Sequence, residues 1–307
     1  MNKNFFGFFC AATAAVTFGL NPLFATALYS AGVSAPTVLF YRFLCGAAML
    51  ALLMAVKKQS FCFERKYAVS LISLALLLAG TSLGLFLSFR YIDMGIASTI
   101  LFAYPVIVAF VMGMVFKEKI TLLIVTSIIM SLVGIIVLCR TSNGTFISIP
   151  GILLALLSAF SYAIYMIVLR KSNVHELPSL QVTFYAMLFS LVFFVVIPDF
   201  KFAIPLESKV ILNLLGLGFF PAFLSFYTLA VGIRYIGATK CSIIGALEPL
   251  VAVCISLLLT GESPTWRLGI GLVLILGAVG LVIGSDSKKT AEVTKEKTTS
   301  LSIADNC

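Results

Sequence analysis

Ten apolar stretches, each about as long as a membrane is thick, constrain the fold of this chain more than any other feature. Crossing about 30 Å of hydrocarbon takes about 20 helical residues at 1.5 Å each. The stretches lie near 5–29, 34–56, 67–91, 95–116, 120–139, 150–170, 179–198, 209–234, 238–259 and 265–284. The chain is 61% hydrophobic and only 11% charged, whereas soluble domains carry about 25% charged residues. We therefore predict an all-α polytopic membrane protein with ten transmembrane helices and the lipid bilayer as its solvent.

The loops between these spans carry basic residues unevenly, and this bias predicts the orientation. Fifteen Lys and Arg residues fall on the side that holds both chain ends, and five fall on the other side. Cytoplasmic loops are the ones enriched in Lys and Arg. Both termini are therefore predicted to be cytoplasmic. Residues 286–307 are rich in Lys, Thr and Ser and are predicted to form a disordered cytoplasmic tail.

The net charge of +9 does not indicate a nucleic-acid partner, because the basic residues lie in short loops rather than on one folded face. The seven cysteines form no C-x-x-C pair, and His175 is the only histidine. We predict no metal, no cofactor and no disulfide framework.

The two halves of the chain repeat each other at a constant offset of 144 residues. Phe40-Tyr41 meets Phe184-Tyr185 and Arg90-Tyr91-Ile92 meets Arg234-Tyr235-Ile236. The same offset superposes several further pairs: Gly7, Ala11 and Ala15 on Gly151, Ala155 and Ala159; Pro105 on Pro249; and Glu118 and Thr121 on Glu262 and Thr265. Arg, Tyr, Pro and Glu matching at one offset indicate an internal duplication.

Each half contains five spans, and an odd number makes the second half enter the membrane from the opposite side. We therefore predict two inverted five-helix repeats, at 1–144 and 145–285. Inverted repeats are an architecture of secondary transporters, with the substrate near the bilayer midplane.

Several motifs resemble the EamA branch of the drug/metabolite transporter superfamily, over about residues 5–285. They are Phe40-Tyr41-Arg42-Phe43, Tyr104-Pro105, Lys117-Glu118-Lys119, Leu247-Glu248-Pro249-Leu250, Gly261-Glu262 and the glycines 269, 271, 277 and 280. The resemblance implies a ten-helix bundle of the bacterial inner membrane with a central cavity and alternating access. It also implies export of amino acids or other small metabolites, without fixing the substrate.

Two charged residues lie within predicted spans, where a charge costs roughly 2.5–3.5 kcal/mol on insertion scales. Glu248 lies at the middle of the ninth span. It is interpreted either as a proton-coupling or amine-binding carboxylate, or as a carboxyl that is hydrogen-bonded to a neighbouring helix. Arg42 lies in the second span at similar depth. It is interpreted as half of an internal ion pair, as an anchor for a substrate carboxylate, or as a side chain that snorkels to the interface.

Prolines inside spans predict kinks, because proline frees a backbone carbonyl. The predicted kinks are at Pro22, Pro105, Pro221 and Pro249. Polar and aromatic side chains on the same helices are candidate substrate contacts, although ordinary packing between helices explains each of them as well. Together with Arg42 and Glu248 they are Asn21, Ser82, Phe102, Tyr104, Tyr162, Tyr165, Tyr227 and Ser242.

Small residues spaced four apart predict close helix packing in membranes. Two such pairs stand out, Gly80-x-x-x-Gly84 and Gly280-x-x-x-Gly284. We expect a neighbouring backbone to approach each pair.

The favoured function is a secondary carrier for a small-molecule substrate, with protons as a candidate coupling ion. The chain has no G-x-x-x-x-G-K-[ST] phosphate loop, and no span contains His or Asp, so ATP hydrolysis and intramembrane enzyme chemistry are disfavoured. A channel, a receptor, or a carrier of vitamins, nucleotides or drugs is kept as an alternative.

Tyr104 and Glu248 each precede a kinking proline at the same offset. With Arg42 they would suit a zwitterion with an apolar side chain, such as an amino acid.

The charge bias generates a topology prediction. A reporter fused after residue 145 should behave as extracytoplasmic, and one fused after residue 174 should behave as cytoplasmic. Alkaline phosphatase and green fluorescent protein fusions measure the two sides. Finding both reporters on one side would contradict the ten-span arrangement.

Overall fold

The described residues are mostly helical, as predicted. A computed structural model describes residues 3–92, 94–138, 148–197, 199–260, 266, 269–271 and 273–282, and these contain no strand. The predicted tail at 286–307 and the loop that separates the halves near 144 lie outside the described residues.

The helices follow the apolar stretches closely. In the first half they are α1 Lys3–Phe18, α2 Asn21–Ser30, α3 Ala35–Val56, α4 Ala68–Ser88, α5 Met94–Leu101, α6 Tyr104–Met114 and α7 Leu122–Leu138. In the second half they are α8 Ile149–Lys171, α9 Ser179–Val195, α10 Ser208–Gly218, α11 Ser225–Ile236, α12 Ala238–Ile244 and α13 Leu247–Thr260. A π-helical turn, Phe219–Leu224, joins α10 to α11. A last apolar helical stretch runs over Gly269–Val282.

Five of the described helical stretches are long and apolar enough to cross a membrane. They are Lys3–Ser30, Ala35–Val56, Arg65–Ser88, Ile149–Lys171 and Ser208–Ile236. Four of the remaining predicted spans correspond to shorter apolar helices, and 238–259 corresponds to α12 and α13. The count of ten spans itself stays a prediction.

Three spans are interrupted near their middles, next to three of the prolines that predicted kinks. The breaks fall at Gly19-Leu20, Phe102-Ala103 and Gly245-Ala246. In each case a proline occupies the first turn of the helix that follows, where its missing N–H costs no hydrogen bond. The second and third breaks are separated by almost the repeat offset of 144 residues. Equivalent spans of the two halves are therefore both interrupted.

Hydrogen bonds between helices obey the same internal symmetry. The Thr81 hydroxyl on α4 donates to the Ser158 carbonyl on α8 across 2.7 Å. The Ser225 hydroxyl on α11 donates to the Ala14 carbonyl on α1 across 2.9 Å. Residue 225 is 81 plus the offset, and residue 158 is 14 plus the offset. Helix α4 therefore packs on α8 as α11 packs on α1, and each half is tied to the other by equivalent contacts.

Equivalent glycines let these two helix pairs approach closely. A Cβ added at Gly7 would lie 2.8 Å from the Ile236 side chain, and one added at Gly151 would lie 2.8 Å from Ile92. These four residues form two pairs at the repeat offset. These two pairs of matched residues thus lie on contact surfaces between the halves.

The connecting segments are fixed by a second symmetric set of bonds. The Tyr41 hydroxyl donates to the Phe202 carbonyl across 2.6 Å, and the equivalent Tyr185 donates to the Phe61 carbonyl. Each tyrosine lies near the start of its helix, α3 or α9. The segment after the long apolar helix of one half is therefore held against the other half at both ends of the bundle.

Charged groups gather at the two ends of the bundle. Arg90 pairs with Asp199 at 3.1 Å at one end, with both side chains about half exposed. At the other end, the Tyr67 hydroxyl donates to the Glu176 carboxylate across 2.7 Å and lowers the pKa of that carboxyl below its ordinary value. These are the ends that the charge bias predicted to be extracytoplasmic and cytoplasmic, respectively.

The two glycine pairs behave differently. A Cβ at Gly84 would lie 2.8 Å from the Leu154 carbonyl, so the backbones of α4 and α8 touch there as expected. A Cβ at Gly280 would meet no atom of the described residues within 4 Å. Within this part of the chain the prediction of close packing at Gly280 is therefore wrong, because Gly280 is exposed. Its partner Gly284 lies outside the described residues.

These contacts predict opposite effects for two glycine substitutions. Gly84→Ala should lower the free energy of unfolding by about 1–3 kcal/mol, because the methyl group meets a backbone carbonyl that cannot move freely. Gly280→Ala should leave stability unchanged or raise it slightly, because alanine favours a helix by about 1 kcal/mol over glycine. Thermal unfolding of the purified variants in detergent measures both. Equal losses would contradict the packing described for α4.

Candidate functional site

A cavity lies between the two halves, beside the three helix breaks. Its walls come from α1, α2, α4, α5, α6 and α13 and from the residues next to the breaks. The lining residues are Phe18, Gly19, Asn21, Ala25, Leu85, Phe86, Phe89, Ser98, Leu101, Phe102, Tyr104, Glu248 and Pro249. It contains about 590 Å³ of atom-free space, counting the part open to solvent.

The cavity extends from the helix breaks toward the end of the bundle where α4 ends and α5 begins. Phe89 follows the last residue of α4, and Ser98 lies in the short helix α5. Arg90 and Asp199 occupy the same end. The predicted topology places this end on the extracytoplasmic side.

Glu248 is the one acidic residue of the cavity wall. It lies in the first turn of α13, where the positive end of the helix dipole favours a negative charge. Its carboxylate makes no hydrogen bond or ion pair with another described residue. Glu248 is partly exposed, so the carboxylate can be reached from the cavity. The break before α2 packs directly behind it, because a Cβ at Gly19 would lie 2.7 Å from the Glu248 carbonyl. The carboxylate is therefore available to a ligand.

Arg42 is 2% exposed and lies behind the cavity wall rather than in it. Its Nη2 donates to the Pro221 carbonyl in the π-helical turn across 2.8 Å, and its Nε has no hydrogen-bond partner. Its guanidinium lies 5.8 Å from the ring centres of both Phe18 and Phe86, which line the cavity. Arg42 therefore does not snorkel, and no ion pair within 4 Å joins it to Glu248 in the described structure, although the two are close enough to interact electrostatically.

Tyr104 joins the two interrupted spans. Its hydroxyl donates to the Ser242 carbonyl on α12 across 3.2 Å. The hydroxyl also fills the space above Gly245, where an added Cβ would lie only 1.8 Å from it. The Tyr104 ring packs edge-on against Tyr162 at 4.7 Å between ring centres. The Tyr104 side chain thus packs against α12 through its hydroxyl and lines the cavity as well.

The structure brings four of the ten predicted contact residues to the cavity. Asn21, Phe102, Tyr104 and Glu248 line it, and the Asn21 side-chain oxygen is buried without a partner. The other six lie outside its wall: Arg42, Ser82, Tyr162, Tyr165, Tyr227 and Ser242. Tyr162 is the nearest of these, since its ring contacts both Phe18 and Tyr104.

The four prolines take different places. Pro249 lines the cavity, and Pro105 is buried in the first turn of α6. Pro221 lies in the π-helical turn, and Pro22 is the second residue of α2. All four therefore lie at or next to an irregular segment of backbone.

Sequence reasoning missed most of the apolar wall. Five of the missed residues are Phe18, Leu85, Phe86, Phe89 and Leu101. In a chain with 27 phenylalanines, nothing in the composition separates a ring that faces a cavity from one that faces a neighbouring helix. The available signal was Asn21-Pro22, which predicted a break in the first span and therefore a cavity or covering protein beside it.

The cavity wall offers oxygen atoms and aromatic rings but no metal site. In the parts of the chain that the structure describes, no three His, Cys, Asp or Glu side chains group together. The chemistry available at this site is reversible binding of a small molecule through Glu248, Asn21, Ser98 and several rings.

A profile of the EamA-like transporter family matches residues 5–140 and again residues 149–284. The chain belongs to the EamA-like transporter family. The two matched segments correspond to the two predicted repeats, and the protein is an integral membrane protein of the transporter class.

Relatives with assigned names are all transporters by those names. The inner membrane transporter YicL of Salmonella typhimurium is 29% identical over 234 residues, which cover 74% of this chain and 77% of that protein. The transporter YxxF of Bacillus subtilis is 24% identical over 217 residues, covering 70% of this chain and 69% of the relative. A solved crystal structure superposes with a TM-score of 0.77 at 19% identity, covering 90% of this chain and 95% of the other, and it supports the fold.

The buried position of Arg42 predicts a stability effect. Arg42→Met should lower the free energy of unfolding by about 1–3 kcal/mol, because the buried Pro221 carbonyl would lose its donor. The control Arg90→Met breaks an exposed ion pair and should cost only about 0–1 kcal/mol. Thermal unfolding in detergent compares the two. A loss at Arg42 no larger than at Arg90 would contradict the assigned hydrogen bond.

Proposed function

We propose that this EamA-family protein is a secondary carrier that exports a small metabolite across the inner membrane by alternating access. The observation that carries the proposal is the cavity at the interface of the two halves, bounded by interrupted helices. Unwound backbone is tolerated at membrane depth only where it is covered by protein or lines a cavity. Transporters of inverted-repeat architecture place their substrate at such breaks near the midplane.

The cavity chemistry favours a zwitterionic amino acid with an apolar side chain. The Glu248 carboxylate and the unpartnered Asn21 oxygen are acceptors for an ammonium group. The unpartnered Arg42 Nε lies behind the rings of Phe18 and Phe86, and a buried donor without a partner is rare in folded proteins. If substrate binding moved the rings of Phe18 and Phe86 apart, Arg42 would reach the cavity, where a substrate carboxylate would supply that partner and the rings would contact the apolar side chain.

Glu248 is also the proposed site of proton coupling. A carboxylate that faces a cavity and has no protein partner can bind either a proton or a substrate ammonium group, but not both at once. Competition between the two couples their movements in opposite directions across the membrane. Proton entry would then drive substrate export, with both chain termini on the cytoplasmic side.

The proposal predicts a separation of two transport modes in Glu248→Gln. The variant keeps the shape of the side chain and loses its charge. In proteoliposomes, accumulation of radiolabelled leucine driven by a pH gradient should fall to background. Exchange of leucine against leucine without a gradient should persist, because it requires no net proton movement.

The matched control is Glu207→Gln, which changes an exposed carboxylate in the segment before α10. It should leave both modes intact. Gradient-driven accumulation that survives in Glu248→Gln with an unchanged pH profile would overturn the coupling role. Leucine flux that shows no exchange stimulation in the parent protein would instead indicate a channel, and saturable flux of another solute class alone would overturn the substrate class.

A further inference from the structure

The internal symmetry gives every residue of the cavity wall a counterpart in the other half. Five residues that line the cavity and stay partly exposed are Phe18, Asn21, Leu85, Phe89 and Ser98. Adding the offset of 144 gives Tyr162, Tyr165, Leu229, Ile233 and Ser242. The counterparts are buried without exception, at 7%, 1%, 4%, 0% and 0% exposure. Equivalent positions are therefore open in one half of the pathway and closed in the other.

The buried counterparts form one region of the molecule. They lie on α8, α11 and α12, toward the end where Lys171 and Glu176 lie. The predicted topology makes this the cytoplasmic end. The region thus continues the line of the cavity across the helix breaks to the opposite face of the membrane.

One symmetric pair of residues separates the open side from the closed side. Glu248 and Tyr104 occupy equivalent positions, each directly before the proline of a broken span. Glu248 lines the cavity, and its carboxylate makes no hydrogen bond with another described residue. Tyr104 instead reaches the backbone of α12, where its hydroxyl bonds to Ser242 and covers Gly245. Only glycine leaves room for this contact.

The closed region contains polar groups that its packing does not use. The Thr239 hydroxyl on α12 is 1% exposed and has no hydrogen-bond partner. The Ser242 hydroxyl donates within its own helix, to the Thr239 carbonyl across 2.7 Å. Moving α12 away from α8 and α11 would therefore break few hydrogen bonds, and it would give the Thr239 hydroxyl access to water.

We propose that this buried cluster is the cytoplasmic half of the substrate pathway in its closed state, and that the Tyr104 hydroxyl seated against Gly245 is the contact that keeps it closed. The inference rests on the carrier function proposed above. Opening requires the hydroxyl to leave Gly245, after which Tyr165, Leu229, Ile233 and Ser242 would line a cavity like the present one. Tyr104 is a positioning residue in this account, because it sets which side is open.

The test uses accessibility and needs no knowledge of the substrate. In a background without native cysteines, Ser98→Cys and Ser242→Cys are made singly and treated with a membrane-impermeant thiol reagent from each side of oriented vesicles. In the parent background, position 98 should react from the extracytoplasmic side and position 242 should react slowly from the cytoplasmic side. Adding Gly245→Ala places a methyl group against the Tyr104 hydroxyl. It should raise the rate at 242 about tenfold and lower the rate at 98 by a similar factor, the scale expected for an overpacked contact.

Two controls separate opening of the pathway from general damage. Tyr104→Phe removes the hydroxyl that bonds to Ser242 and is seated against Gly245, so on its own it should shift the two rates in the same directions as Gly245→Ala does. Gly7→Ala creates a clash between helices away from the breaks, with the added Cβ 2.7 Å from the Tyr235 Cβ, and should leave the ratio of the two rates unchanged.

Reciprocal changes at 98 and 242 in Gly245→Ala that Tyr104→Phe reproduces would support the proposal. Unchanged rates, a rise at both positions, or parent-like rates in Tyr104→Phe would overturn it. Failure of the leucine transport assay together with reciprocal labelling would overturn the substrate class and leave the closing contact standing.

Discussion

The structure depends on one constraint, which is that backbone polar groups in hydrocarbon must find partners within the protein. An intact helix satisfies this by itself, but this chain interrupts three spans near mid-membrane. The interruptions are grouped between the halves, where other elements cover them. Glu248 lies behind the break at Gly19, Tyr104 donates to a carbonyl of α12, and Arg42 donates to the Pro221 carbonyl of the π-helical turn. The irregular backbone and the cavity are therefore consequences of the same arrangement.

The internal duplication makes the arrangement two-sided. Matching hydrogen bonds from Thr81 and Ser225 tie α4 to α8 and α11 to α1, so the halves hold each other by equivalent contacts. These contacts recur at equivalent positions in the two halves. The helix breaks do not all recur, because the first span is broken and its counterpart α8 is continuous. A symmetric frame around an asymmetric centre has two equivalent ways to place its cavity, one open to each face. This is the physical basis for alternating access in the account proposed here.

Much of the fold could be predicted from the sequence because the bilayer limits the choices so strongly. The apolar stretches predicted the helices and the repeat offset predicted the duplication, whereas the contacts of Gly7 and Gly151 with the other half came from the structure. Prolines predicted where the backbone becomes irregular. Gly280 shows the limit, because small-residue spacing states that close packing is possible but not that a neighbour is present.

The candidate site was predictable only in part. Asn21, Phe102, Tyr104 and Glu248 were found because each lies at or near a break that the sequence displays. The aromatic wall was not found, since a phenylalanine that faces a cavity and one that faces a helix look alike in sequence. The role of Gly245 was invisible for a related reason, because its meaning depends on a tyrosine hydroxyl from the other half. Contacts between the halves require coordinates.

The central claim, that the two faces open in alternation, is tested most directly by distance measurement between spin labels. Labels at Ala31 and Tyr91 span the proposed extracytoplasmic mouth, and labels at their repeat counterparts, His175 and Tyr235, span the other end. Pulsed electron resonance on the protein in lipid nanodiscs records both distributions under matched conditions. The account predicts two distances for each pair, with the long component of one pair rising as that of the other falls when pH is changed. A single unchanging distance for each pair, or lengthening of both together, would contradict it.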